Sequence, residues 1–221
     1  MSPNPKNSPN SPEEGRYPRP TVSTDEAETV WRDLASAAMD PGVKPEIVRL
    51  AVIVALTRAT GARYSDLLRC GVDSFDLGEE GARASAGTVE VFHGKHRTRV
   101  VHPLDASEVI LLRRWFDVRA ELCAELEGSA PRALLLTVHH THDNGTTVVS
   151  GLPITKQGLV LSWRRHVHRT NARWAGRRPP LPTRFEQVRR AWTESAERRL
   201  HTTDTDDDGP GMSPGPSSQE R

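Results

Sequence analysis

The segment IVRLAVIVAL, residues 47–56, constrains the fold most, because it is apolar on almost every side. A helix that is hydrophobic all round has to be buried, so the sequence predicts a central helix covered by other elements. Pro45 suits the first turn of this helix, and Gly61 suits its end. Arg63 follows at the turn, so its fixed charge lies at the rim of the core. A nearby carboxylate or an anionic ligand can satisfy that charge, and the residues alone leave both possibilities open.

Capping signals predict where further helices begin. Ser65 can cap a short third helix, SDLLRC, that Gly71 ends. The longer helices follow polar residues spaced for hydrogen bonds to the backbone, and apolar residues recur behind them at helical spacing. These signals are the pairs Ser23 with Glu26, Asp105 with Glu108 and Thr183 with Glu186, and the single residue Thr155.

Between the helices, the hydrophobic period changes to that of a strand. TVEVFH (88–93) and TRVVHPL (98–104) flank the turn GKHR, which predicts a β-hairpin with Lys95 at its tip. ALLLTV (133–138) fits a strand or a buried connector, and HHTHDNG (139–145) fits a polar loop. Helices, a small hairpin and then more helices do not follow the alternating order of a parallel α/β protein. We therefore predict a mainly α domain with a small antiparallel β-sheet (α+β).

Both ends of the sequence are poor in core-forming residues. Residues 1–22 are rich in Pro, Ser and Asn, and residues 201–221 have a similar low-complexity character. We expect a disordered head and a disordered tail around one domain, residues 23–200. No apolar run is long enough for a membrane span, and the head lacks the apolar part of a signal peptide. The expected location is therefore cytoplasmic, with no membrane partner.

We expect no metal and no cofactor. Cys70 and Cys123 share no metal-ligand spacing and fall in apolar helical patterns, as buried reduced thiols do. The histidines of the 139–145 loop are not spaced as in an established zinc site, so a polar loop is the preferred interpretation.

The net charge of +1 conceals a basic cluster. Residues 151–200 contain twelve basic side chains and only three acidic ones. Such a concentration is the usual electrostatic footprint of a nucleic-acid-binding protein, and the alternative is a helix surface that only faces solvent. On the first interpretation, the side chains that contact DNA are Arg164, Arg165, Arg169, Arg173 and Arg190.

Two segments resemble parts of the tyrosine recombinases, the phage integrase family. TGARYSDLLRCGVDSFDL (60–77) is similar to the segment that carries the family's first catalytic arginine. Arg63 stands in the place of that arginine, and Asp66 is the acid three residues later. The hairpin resembles the β-turn on which the family carries a catalytic lysine, and Lys95 stands in that place.

A third segment, PTRFEQVRRAW (182–192), resembles the H-x-x-R box of the same family, with Arg189 as the second catalytic arginine. Glu186 stands where that box has its histidine. HVHR (166–169) is an alternative position for the box, because it contains the same letters in the middle of the preceding helix. Together the three segments extend the resemblance over about residues 24–195.

The resemblance implies the fold of a tyrosine recombinase catalytic domain, DNA as the partner, and strand cleavage and rejoining in site-specific recombination and integration. It implies that Arg63 and Arg189 stabilise charge on the attacked phosphate, that Lys95 protonates the leaving 5′ oxygen, and that a tyrosine forms a covalent phosphotyrosyl link. The alternative to these phosphate-binding roles is a purely structural one. Arg63 then caps a helix or pairs with Asp66 or Asp73, and Lys95 is a solvated turn residue.

The sequence has no tyrosine where the family places its nucleophile. Tyr17 lies in the head, and Tyr64 lies next to Arg63. The family's later His/Trp box and its N-terminal helical domain are not matched either. We therefore expect a truncated or degenerate integrase of a phage or other mobile element, or a DNA-binding relative, that does not form the phosphotyrosine intermediate alone. The alternative is a non-catalytic regulatory or protein-interaction module, and candidate partners are a full-length integrase or a second copy of this chain.

Overall fold

The computed structural model describes residues 22–203, apart from 79–86, 125, 127, 129, 140, 144 and 145. Within that part of the chain the helices are α1 (Thr24–Ala38), α2 (Pro45–Thr60), α3 (Tyr64–Leu67), α4 (Ala106–Ala124), α5 (Lys156–Arg173) and α6 (Phe185–Thr203). The strands are β1 (Phe75–Asp76), β2 (Gly87–His93), β3 (Thr98–Leu104), β4 (Thr141–Asp143) and β5 (Thr146–Val148). The first three strands form one antiparallel sheet in chain order, and the last two form a second. The predicted mainly α fold with a small antiparallel sheet is confirmed.

Helix α2 is the buried centre of the fold, as its sequence predicts. Every residue from Val48 to Thr57 is buried, and the helix contacts α1, α4, α5, α6 and β3. Pro45 occupies its first turn. Gly61 caps its end with a φ of 65°, a left-handed conformation that a residue without Cβ adopts at little cost. The chain therefore leaves the core at Gly61 and passes directly into the segment that carries Arg63.

Three of the predicted caps are confirmed. Ser23 Oγ accepts from the N–H of Glu26 (3.2 Å), whose carboxylate accepts from the N–H of Ser23 (2.9 Å). Asp105 and Glu108 exchange the same pair of bonds at the start of α4, each 2.9 Å long. Thr155 caps α5 by accepting from the backbone N–H three residues later. Each cap is worth about 1 kcal/mol and fixes where its helix begins.

The predicted capping box of Thr183 and Glu186 is wrong. Helix α6 begins at Phe185, so Thr183 lies outside the helix. The carboxylate of Glu186 instead accepts two hydrogen bonds from the guanidinium of Arg189 on the next turn. A charged, bidentate donor binds a carboxylate more strongly than the neutral N–H of a cap does.

The short third helix begins two residues earlier than a cap at Ser65 would place it. Arg63 is the N-cap residue of α3, so Ser65 lies inside the helix, and Gly71 lies beyond its end. The cause is Asp66, whose carboxylate accepts the N–H of Arg63 at 3.2 Å. An acid in the third helical position satisfies a donor at the helix start, so the helix begins at Tyr64.

The predicted hairpin is formed by β2 and β3, and Lys95 lies in its turn, residues 94–97. The prediction of a polar loop over residues 139–145 is partly wrong, because Thr141–Asp143 pairs with Thr146–Val148. The β-branched run TTVV that follows the loop favours a strand.

Residues 133–138 form a buried connector, and their three leucines are buried. Arg49 of α2 lies among them, donating to the carbonyl oxygen of Leu136 (2.6 Å) and to the hydroxyl of Ser162 in α5 (2.8 Å). The one arginine inside the apolar run 47–56 therefore joins the central helix to the connector and to α5.

The predicted division into head, domain and tail stays a prediction. Helix α6 continues to Thr203, and the expected disorder of the head and tail concerns residues that lie outside the described part. Cys70 is buried and Cys123 half-buried, and neither forms a disulfide. No helix of the described residues is long and apolar enough to cross a membrane.

Candidate functional site

A carboxylate joins the third helix to the tip of the hairpin. Asp66, 5% exposed, accepts the N–H of Arg63 with one oxygen (3.2 Å) and the N–H of Gly94 with the other (3.1 Å). Gly94 directly precedes Lys95 in the turn. Because one side chain binds both backbone segments, it holds the residue that follows α2 next to the turn of the hairpin.

Arg63, Lys95 and Arg189 line one cavity of about 290 Å³. We call it the hairpin cavity, because the turn and strands of the hairpin form one wall, and α3 and α6 form the others. The three residues come from segments that are far apart in the sequence. The structure thus brings together the three side chains that the sequence singled out.

Arg63 and Lys95 are both exposed. In the part of the chain that the structure describes, neither the guanidinium of Arg63 nor the ammonium of Lys95 makes a hydrogen bond or an ion pair. Only the backbone of Arg63 is bound, through its N–H to Asp66. The side chain of Arg63 therefore does not pair with Asp66 or with Asp73, whose described partner is Arg132. Two unpaired cations beside one cavity form a site that suits an anion.

Arg189 is occupied by the protein itself. It is 9% exposed, and it donates to both carboxylate oxygens of Glu186 at 2.7 and 2.8 Å. It also donates to the carbonyl oxygen of Gly61 (2.8 Å) and to the hydroxyl of Thr193 (3.3 Å). The hydrogen bonds from Arg189, with the nearby charge of Arg63, lower the pKa of Glu186. Arg189 therefore ties the end of α2 to α6, and its charge is matched by Glu186.

A second cavity lies on the other side of Arg63 and Arg189. It has a volume of about 370 Å³ and is bounded by α3, α5 and the start of α6, so we call it the helix cavity. Lys156, Arg164 and Arg184 also line it. The two cavities share Arg63 and Arg189, so they form one cleft with a basic wall. Sequence reasoning did not connect Lys156 and Arg184 with the site, because each is isolated from the matched motifs.

Tyr64 lies in the wall of the helix cavity and is poorly suited to act as a nucleophile. Its ring stacks on Phe185, with centroids 4.7 Å apart and planes within 7°. Its hydroxyl is buried and has no hydrogen-bond partner among the described residues. Burial raises the pKa of Tyr64, because the phenolate loses its hydration there. Tyr17, the other tyrosine of the sequence, lies outside the described residues.

Two histidines of the hairpin meet in the hairpin cavity. The Nε2 atoms of His93 and His102 lie 3.0 Å apart, so one ring donates its proton and the other accepts it. His102 is only 2% exposed, and burial, helped by His93, lowers its pKa to about 4. Both rings are therefore neutral near pH 7. The sequence analysis missed this pair because the two residues belong to different strands and no motif connects them.

The arginines predicted to contact DNA fall into separate groups. Arg164 lines the helix cavity, and Arg190 lies 3.5 Å from Glu186 at its edge. Arg165 is exposed on α5 and lines neither cavity. Arg169 and Arg173 line a different groove, between α1 and α5. The alternative box HVHR also faces that groove, so its arginine is not brought to Arg63.

The arginines of the α1–α5 groove have protein partners. Arg169 Nη1 lies 3.8 Å from a carboxylate oxygen of Glu46. The guanidinium of Arg173 lies 5.7 Å from the ring centre of Trp174. The five predicted DNA contacts therefore do not form one surface patch with equal access to a ligand.

No protein-family model matches the sequence, and no curated protein matches it either. Similar folds occur among solved structures. The XerH site-specific recombinase bound to its difH substrate, in a pre-cleavage complex, has a TM-score of 0.50 and 18% identity, over 82% of this chain and 44% of that chain. XerA recombinase has a TM-score of 0.48 and 18% identity, over 81% of this chain and 51% of that chain.

A post-cleavage complex of XerH with palindromic difH has a TM-score of 0.49 and 17% identity, over 82% of this chain and 43% of that chain. This chain therefore spans about half the length, or less, of the recombinases it matches. The likeness to the pre-cleavage XerH complex confirms the fold implied by the sequence motifs: the chain has the fold of a tyrosine recombinase catalytic domain.

Proposed function

We propose that this chain binds DNA through its backbone phosphates, with Arg63 and Lys95 in contact with one phosphate. On this proposal it acts in site-specific recombination or DNA integration and does not cleave a strand alone. The observation that carries the proposal is the convergence of Arg63, Lys95 and Arg189 on the hairpin cavity, with the first two unpaired. A recombinase fold and DNA-bound neighbours support it.

The chemistry of the two free cations fits a phosphodiester. The guanidinium of Arg63 can donate two parallel hydrogen bonds to the non-bridging oxygens, and the ammonium of Lys95 adds a point charge. When a nucleophile attacks the phosphorus, Lys95 can give its proton to the leaving 5′ oxygen. Asp66 positions both residues by binding the backbone on either side of the cavity.

Strand cleavage by this chain alone lacks two components. No tyrosine hydroxyl of the described residues is accessible in the cleft, because that of Tyr64 is buried. Glu186 lines the adjoining helix cavity, and its carboxylate engages Arg189. A carboxylate repels a phosphate, and an engaged arginine offers it fewer donors.

On this proposal the tyrosine for a covalent step comes from another chain, because no tyrosine hydroxyl of the described residues is accessible. The phenol would lose its proton to solvent as its oxygen forms the bond to phosphorus, the bond to the 5′ oxygen would break, and Lys95 would protonate that oxygen. We propose a full-length integrase or a second copy of this chain as the source. A phage or other mobile-element origin and a cytoplasmic location complete the proposal.

Incubation with nicked duplex DNA from the flanks of its own gene tests the proposal. After cleavage, the short fragment between the cleavage site and the nick diffuses away and cannot be rejoined. A covalent intermediate therefore accumulates and appears as a shifted band on a denaturing gel. We expect no covalent band, and a mobility shift under native conditions that weakens as salt rises. A covalent band formed by the chain alone would overturn the claim of lost cleavage, and the absence of a native shift would overturn DNA binding.

A second candidate function is a non-catalytic regulatory or protein-interaction module. The pairing of Arg189 with Glu186 and Gly61 favours it, since this arginine serves the structure. Such a module would bind DNA weakly and without a steep salt dependence, and replacing Arg63 would leave its interactions unchanged.

A further inference from the structure

Four cations that make no hydrogen bond or ion pair within the described residues line the helix cavity. They come from the end of α2, from α5 and from the segment before α6, and all four side chains are exposed: Arg63, Lys156, Arg164 and Arg184. Within the described residues, none of these side chains makes a hydrogen bond or an ion pair. Neighbouring like charges repel each other, so the free cavity has a positive potential that an external anion would neutralise.

Among the described residues that line this cavity, no carboxylate is left to pair with the four cations. Glu186 is the only carboxylate among the described residues that line it. Its two oxygens are bound by Arg189, and Arg190 lies 3.5 Å away. The positive charges of the lining therefore outnumber the negative ones, and four cations make no ion pair within the described residues.

The rest of the wall suits a ligand with an apolar part. Its apolar lining residues are Tyr64 and Val160, which are half-buried, and Trp163 and Phe185, which are buried. The volume of about 370 Å³ falls within the usual range of small-ligand sites, roughly 300–1,000 Å³. A phosphate alone would use the cations but not this wall, whereas a nucleotide has both a phosphate and an apolar sugar and base surface.

Arg63 lies between the helix cavity and the hairpin cavity. It lines both, and so does Arg189. A nucleotide in the helix cavity would therefore lie next to a phosphate in the hairpin cavity, as consecutive units of one strand do.

We propose that the helix cavity is a second subsite for nucleic acid, which holds the nucleotide adjacent to the phosphate at Arg63. Lys156, Arg164 and Arg184 bind its phosphate, and the wall at Tyr64 and Val160 contacts its sugar or base. The inference rests on the proposed function, because it assigns a neighbour to the phosphate that Arg63 binds.

Short ligands test the subsite without knowledge of the DNA target. We would compare binding of thymidine 5′-monophosphate with that of the dinucleotide pTpT, which has two phosphates, by NMR titration of the full chain. The wild-type chain should bind pTpT at least about tenfold more tightly, because only pTpT fills both cavities. In a K156Q/R184Q variant this preference should disappear, while Arg63→Gln should weaken both ligands. Arg32→Gln, an exposed arginine on α1 outside the cleft, is the matched control and should change neither.

The outcomes separate the two proposals. If K156Q/R184Q keeps the preference for pTpT while Arg63→Gln still weakens binding, the subsite is wrong and the proposed function stands. If the wild-type chain binds the monophosphate as tightly as pTpT, and K156Q/R184Q weakens both, the cavity binds a free nucleotide and the strand assignment is overturned. If neither short ligand nor duplex DNA binds, both proposals fail.

Discussion

Two arginines five residues apart, at the same end of α2, lie in opposite surroundings. Arg58 donates to Glu28 (2.9 Å), Asp105 (2.9 Å) and Glu108 (2.8 Å), so it joins α1, α2 and α4. Arg63 is exposed and has no side-chain partner in the described residues. The abundance of arginine therefore does not identify a binding site. What identifies it is a cation whose charge the fold leaves unmatched.

The difference has a local cause. Arg58 lies on the face of α2 that meets the starts of α1 and α4, where capping boxes and acidic first turns gather carboxylates. Arg63 lies beside Asp66, but the oxygens of Asp66 already accept backbone N–H groups. The carboxylates around Arg58 bind its guanidinium, whereas the carboxylate of Asp66 binds backbone N–H groups and leaves the side chain of Arg63 without a hydrogen bond in the described residues.

The largest expected effect comes from Arg58→Ala. It removes a cation from the carboxylate of Glu108, which is 0% exposed, and breaking such a buried pair costs about 3–5 kcal/mol of the free energy of unfolding. Urea denaturation followed by tryptophan fluorescence measures it. Arg63→Ala is the control and should cost less than about 0.5 kcal/mol, as exposed substitutions do. Equal losses in the two variants would contradict the contrast between the regions.

The next effect is on the pH dependence of stability. The pKa of His102 is about 4 in the fold and about 6.5 in the unfolded chain, so only the unfolded chain binds this proton between those values. The contribution of neutral His102 to the free energy of unfolding is therefore complete above about pH 6.5. Up to about 3 kcal/mol of that free energy is lost as the pH falls to about 4. Urea midpoints at pH 7.5 and pH 4.5 measure the loss.

His102→Gln should flatten this dependence, whereas His168→Gln, at an exposed position on α5, should leave it unchanged. A pH dependence that survives in His102→Gln would show that other groups cause it.

Arg63→Gln is expected to weaken DNA binding by about 10- to 100-fold, because a hydrogen bond to a charged group is worth about 1.5–3 kcal/mol. Arg169→Gln is the matched comparison on the α1–α5 groove, where Glu46 already lies near the arginine, and its effect should stay below about threefold. Fluorescence anisotropy with a labelled duplex at constant salt gives both values. If Arg169→Gln had the larger effect, the DNA would lie on the groove and not on the cleft.

A smaller effect, in the opposite direction, is expected for Glu186→Gln. It removes the charge that holds Arg189, so affinity for DNA should rise by up to about tenfold, with one more phosphate contact in the salt dependence. Asp33→Asn, which removes the partner of Arg178 in the α1–α5 groove, is the control and should leave affinity nearly unchanged. Weaker binding by Glu186→Gln would mean that the ion pair builds the site and does not compete with its ligand.

Much of the fold could be predicted from the sequence, because its signals are local. The caps at Ser23, Asp105 and Thr155 need only neighbouring residues, and the apolar run 47–56 needs only its own composition. The capping box at Thr183 was predicted wrongly because the same carboxylate had a stronger partner one turn away.

The site was predictable only in part. The motifs named Arg63, Lys95 and Arg189, and the structure places them around one cavity. The partners of Arg189 and the contact of Asp66 with Gly94 join residues that are distant in the sequence, and no local pattern specifies them. For the same reason, the sequence did not show which arginines the fold leaves unpaired.

The salt dependence of DNA binding is the sharpest test of whether Arg63 and Lys95 contact a DNA phosphate. The logarithm of the binding constant should fall linearly with the logarithm of salt concentration, and the slope counts the phosphates that the chain neutralises. We expect an R63Q/K95Q variant to bind more weakly and to have a slope smaller in magnitude by about 1 than the wild type, because both cations contact one phosphate, whereas Arg32→Gln keeps the wild-type slope. A slope that is the same for R63Q/K95Q and the wild type would contradict it, because the two unpaired cations of the hairpin cavity would then not contact DNA.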